Sequence, residues 1–140
     1  TVSAYQIIVG CQNIDTWSKG WRLSTLATNE LRFSINPFNV NYSTLAFTDT
    51  ASWHHAFGQY SAALGQIQLY LDGVPATPMN YSTAITYDAS TVPCIGSGTT
   101  ILGVVYTPFA GYIGETEWHD RVFTVPEVQN LYLATRWRYQ

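Results

Sequence analysis

Glu115-x-Glu117-x-x-Asp120 is the sharpest catalytic feature of this 140-residue chain. Retaining glycosidases use two carboxyl groups about 5 Å apart, one as nucleophile and one as acid. On a strand, Glu115 and Glu117 project from the same face, being two residues apart. Short motifs of this kind often match by chance, and the chain has little sequence left over to build a cleft. Glu115 is therefore expected to cap local backbone amides, and Asp120 to pair with Arg121 or Arg136. A small glycoside hydrolase is the less favoured reading, and the chain is not expected to be an enzyme.

The other reactive side chains point away from catalysis. His54 and His55 are adjacent, so on a strand they face opposite sides and do not readily share one ion. His119 has no partner at ligand spacing, so packed or hydrogen-bonded histidines and no metal site are expected. Calcium takes six to eight oxygens. Asp15, Asp49 and Asp88 are loop candidates that form no local cluster, which leaves calcium open and implies no other cofactor. Cys11 and Cys94 are the only cysteines, so one disulfide is the sole pairing within the chain, and it is the favoured state. Asn41-Tyr-Ser and Asn80-Tyr-Ser are N-glycosylation acceptors in expected loops. With paired cysteines and a single lysine, they favour secretion, a cell surface or a virion. Trp17, Tyr42, Tyr81 and Tyr106 are read as loop aromatics able to stack on a sugar ring or a protein. Of these, Trp17 and Tyr106 lie clear of the acceptor triplets, where a glycan would block Tyr42 and Tyr81.

Composition narrows the partners. Charged residues are 11 % and the net charge is −3, which speaks against nucleic acid, whose phosphates need a basic patch. The longest apolar runs, such as Ile101 to Tyr106, fall far short of the roughly 20 residues of a membrane span. Aromatics at 15 % and the low charge argue against a disordered chain. The chain opens on Thr1 with no signal-peptide pattern, as expected of a mature or excised piece. One domain over residues 1–140 fits the length.

The elements that must position these groups follow a period of two. Gln66 to Asp72 sets Ile67, Leu69 and Leu71 on one face and Gln66, Gln68 and Tyr70 on the other. Asp72-Gly73 then supplies a tight turn. Glu30 to Ile35 alternates likewise and buries Leu31, Phe33 and Ile35. Further strands are expected at Tyr5 to Val9, Trp21 to Leu26, Trp53 to Tyr60, Val92 to Gly96, Ile101 to Tyr106 and Tyr112 to Trp118. Short strands between turn clusters predict an all-β antiparallel sandwich. One C-terminal helix is expected, opened by the capping box Thr124-Val-Pro-Glu127 and presenting Val128, Leu131 and Tyr132 as one stripe.

Trp53-His54-His55, Gly65 to Gly73, Ile95-Gly-Ser-Gly98, Phe109 to Glu115, Asp120-Arg121 and the helix Glu127 to Tyr132, in that order, resemble the laminin G-like, concanavalin A-like jelly-roll domains. The resemblance runs from about residue 5 to residue 133. It implies a jelly-roll β-sandwich with a short C-terminal helix, and it makes Trp53-His54-His55 a framework feature. Gly114 stands where the family usually has Asp. The resemblance also implies two further strands ahead of Tyr5 to Val9, so the chain is either a fragment or a subunit that borrows strands from another chain. The expected function is a non-catalytic extracellular recognition or adhesion module that binds a glycan or protein. The alternative is a structural subunit of a surface fibre or coat, packed on copies of itself.

Overall fold

The computed structural model describes residues 5–13, 15, 18–36, 40–99 and 104–139. Five strands form one antiparallel sheet: β1 (Gln6–Asn13), β2 (Lys19–Leu26), β3 (Glu30–Ile35), β4 (Tyr42–Ala46) and β9 (Val92–Ile95), in the order β4-β3-β2-β1-β9. A second sheet is built on β5 (Ala56–Ser61) and β6 (Gln66–Leu71). The short β7 (Val74–Pro75) and β8 (Met79–Asn80) both pair with β6 on the side away from β5. β10 (Gly98–Thr99) and β11 (Val105–Tyr106) pair as a separate two-stranded ribbon beside β9 and β1.

The expected alternation packs these layers. Leu31, Phe33 and Ile35 of β3 and Leu23 of β2 meet Ile67 and Leu69 of β6, with Ala76 alongside. Ile35, Ile67 and Leu69 are fully buried, and each such side chain contributes about 1.5–3 kcal/mol of transfer free energy. The Asp72-Gly73 turn takes the positive backbone angles that a two-residue hairpin needs, φ 52° and 76°. That turn sets the Leu71↔Val74 register.

The helix α1 (Val125–Thr135) lies on the outer face of β6, where Val128 packs with Tyr70 and Phe123. Its start is held by Glu127, whose Oε2 accepts the Thr124 amide at 2.7 Å and the Thr124 hydroxyl at 2.8 Å. Among the described residues no helix is long and apolar enough to cross a membrane.

Several expectations change. β4 was not foreseen: Tyr42 lies in a strand, its ring beneath the Arg32 guanidinium at 3.8 Å. Of the expected strand at Ile101 to Tyr106, residues 101–103 lie outside the described residues, and only Val105–Tyr106 is seen as strand. Tyr112 to Trp118 forms no strand. Its side chains are drawn to separate anchors instead of one ladder: Ile113 beside Gly96, Trp118 on Trp21 and Glu115 to Arg138.

Candidate functional site

The layers are unequal, and the inequality makes the site. β6 packs across β3 and β4. Gly58 of β5 lies beneath Phe33, so closely that a Cβ there would come within 2.4 Å of the ring. Beyond β5, the inner faces of β1 and β2 look into an open cleft of about 1230 Å³. Ile8, Val9, Trp21 and Leu23 form its apolar wall. Its volume exceeds the roughly 300–1,000 Å³ of ordinary small-molecule pockets.

Three aromatic side chains stand around the mouth. Trp53 is 47 % exposed, Trp118 53 % and Tyr112 87 %. The Trp53 and Tyr112 rings are 6.4 Å apart and tilted by 39°. Trp118 packs edge-on against Trp21 at 4.9 Å. Large aromatics left this open in one patch mark an interaction surface more often than a structural one.

Trp53 is carried on a braced loop. Asp49 Oδ1 accepts the Ala51 amide at 2.9 Å and the Ser52 amide at 3.3 Å. These bonds, the Ala51 amide first, hold the Asp49 carboxyl below its ordinary value. His54 Nδ1 donates to Asp72 Oδ2 at 2.7 Å, and the His55 amide donates to Asp72 Oδ1 at 2.8 Å. One turn carboxylate thereby fixes both neighbours of the Trp53 loop. Burial pushes the His55 imidazole below its ordinary value, partly offset by Asp72 and Glu117. The histidines serve as framework, as the resemblance implies.

The carboxylate motif takes another form from the one its spacing suggests. Glu115 pairs with Arg138 of the C-terminal 3₁₀ turn, and Glu117 lies 3.3 Å from His119 Nε2. Arg121 pairs with Glu127 at 2.8 Å, not with Asp120. Neither glutamate lies on a strand, and both line the cleft. Among the described residues no group of three or more His, Cys, Asp or Glu side chains is placed to hold a metal ion. Asp88 is occupied by Asn13, Ser90, Thr91 and Lys19.

Cys11 and Cys94 are free thiols, which corrects the expected disulfide. They lie on paired strands, but Cys94 is opposite Gly10 and Cys11 opposite Pro93. Neighbouring positions on a strand face opposite sides, so the two sulfurs are on different faces of the sheet. Burial raises both thiols, and Cys94 Sγ accepts from Gln12 Nε2 at 3.4 Å.

The remaining expected site residues disperse. Trp17 lies outside the described residues. Tyr106 is exposed on β11, away from the cleft. Tyr81 packs on the core and donates its hydroxyl to Asn36 O at 2.8 Å. Asn41 is buried, its Nδ2 donating to Asn36 O at 2.8 Å, whereas Asn80 is exposed on β8. Sequence reasoning missed Trp53, Tyr112 and Trp118 as a rim, because it assigned all three to strands. The available signal was an aromatic at each end of the Tyr112 to Trp118 run, beside glycines and carboxylates.

Comparison with known proteins adds the lineage. Residues 2–129 match the family model described as the concanavalin A-like lectin/glucanases superfamily, of laminin G type. A solved structure of an S-layer domain-containing protein from Clostridium thermocellum, residues 221–444, shares 18 % identity at a TM-score of 0.48. The alignment covers 92 % of this chain and 63 % of that one, so the chain spans less than two thirds of its length. No curated protein matches the chain.

Proposed function

We propose that this chain, which belongs to the concanavalin A-like lectin/glucanases superfamily, is a non-catalytic recognition or adhesion module at a surface or outside the cell, and that its cleft mouth holds a glycan. The exposed Trp53–Tyr112 pair carries the reading. Sugar rings present apolar C–H faces that stack on aromatic side chains, while their hydroxyls need polar groups at the edge. Glu117 and His119 supply such groups beside Trp118. Binding by stacking needs no covalent step, which suits glutamates engaged by Arg138 and His119.

A panel of soluble polysaccharides, titrated by calorimetry, tests this. Trp53→Ala and Tyr112→Ala should each weaken binding about tenfold or more, as loss of an interface anchor does. The melting temperature should hardly move. No binding across the panel, or variants that bind like the parent, sinks the reading. Release of reducing sugar that stops in Glu115→Gln would instead make the chain a hydrolase.

A further inference from the structure

We infer that the free edge of β5 accepts an extended segment of a partner polypeptide as an added strand, whose alternate apolar side chains enter the cleft. The hydrogen-bond phase of β5 shows which backbone groups are open. The Asp72 amide donates to His55 O at 2.8 Å, and the antiparallel register runs from Ala56↔Leu71 to Ser61↔Gln66. Bonding alternates along such a ladder. His55, Phe57, Gln59 and Ser61 therefore turn their backbone groups toward β6, while Ala56, Gly58 and Tyr60 turn theirs the other way. Among the described residues no backbone hydrogen bond reaches those three from the open side. Three amides and three carbonyls at strand spacing form a template that only another peptide backbone matches.

The edge also lacks two of the usual protections. Ala56-Phe-Gly-Gln-Tyr-Ser61 contains no charge and no proline, the devices by which edges are normally kept from pairing. The Tyr112 to His119 segment lines the same cleft without joining the ladder.

Geometry selects the kind of occupant. Among the described residues, the inner faces of β2 and β1 extend past β5 with no strand opposite them in the facing layer. A second copy approaching edge to edge would bring its own overhanging layer into collision with this one. A lone extended segment brings no such layer and would lie beside Trp118, which packs on Trp21. Its inward residues meet Ile8, Val9, Trp21 and Leu23, so they must be apolar. This inference does not depend on glycan binding, since it uses the backbone of β5 and the cleft wall, not the rim pair.

Amide hydrogen exchange read residue by residue by NMR tests it on the full chain. The probes are capped hexapeptides with Thr at alternate positions and Val, Ile, Phe or Trp between them. Ala56, Gly58 and Tyr60 amides should exchange fast in the free protein and slow about tenfold or more with at least one peptide. The same peptides N-methylated at alternate residues should give no protection. Neither should any peptide with Ala56→Pro, a substitution an edge strand accepts on its open side. Protection of the three amides before peptide is added overturns the proposal: loss of that protection on dilution would identify a second copy, and persistence would identify the chain's own segment. Absence of protection by every peptide overturns it as well.

Discussion

The two flanks of the sandwich are made from the same alternating strands yet finish differently. On the β3–β4 flank, β6 lies directly beneath, and Leu31, Ile35, Ile67 and Leu69 are sealed to 1 % exposure or less. Behind β6 the helix closes a third layer over Tyr70. On the β1–β2 flank the facing layer stops at β5, and Ile8, Val9 and Trp21 are only half-buried against the cleft. An inward-facing apolar residue becomes core only where the other sheet supplies a strand to meet it. The same pattern left without a counterpart becomes a binding surface.

Core truncation sharpens this contrast most. Leu69→Ala should cost about 2–5 kcal/mol in denaturant unfolding. Val9→Ala should cost about 1 kcal/mol, because its environment is already open. Equal losses would mean that the cleft is filled in solution. Next comes Gly58→Ala at the junction of the flanks, where the added methyl meets the Phe33 ring. A loss of about 1–3 kcal/mol is expected, as for other overpacked sites. An unchanged midpoint would show that β5 is free to shift away from Phe33.

At the rim, Tyr112→Ala should alter stability by no more than about 0.5 kcal/mol, as exposed positions do. A larger loss would turn the rim from binding surface into structure.

The smallest effect concerns pH. Burial depresses the His55 imidazole in the folded state, so the unfolded chain binds its proton more readily. The stabilising contribution is present above the ordinary histidine value of about 6.5 and is lost as pH falls from there through the depressed folded value. His55→Gln should flatten the slope of unfolding free energy between about pH 7 and pH 5. A slope unchanged by the substitution would assign it to other groups.

Much of the closed flank was legible in the residues. Leu31-x-Phe33-x-Ile35 and Ile67-x-Leu69 announce their inward faces, Asp72-Gly73 its turn, and Thr124-x-x-Glu127 its helix start. The open flank is less legible. Tyr112 to Trp118 resembles a strand locally, but a strand exists only with an edge to pair on. Tyr42 reads as a loop residue because its short strand is specified by pairing with β3 more than by its own pattern.

Side-chain alternation is a local property of extended backbone, and so the sequence alone determined which residues point inward, where the tight hairpin turns and how the helix begins. Register and the stacking of layers depend on partners distant in the chain. Only the tertiary structure therefore decided that Cys11 and Cys94 lie back to back, that Glu115 meets Arg138 and Glu117 meets His119, and that Trp53, Tyr112 and Trp118 line one cleft. The physical reason is the same in each case: a residue's neighbours across the ladder and across the layer are set by long-range pairing, which no local pattern encodes.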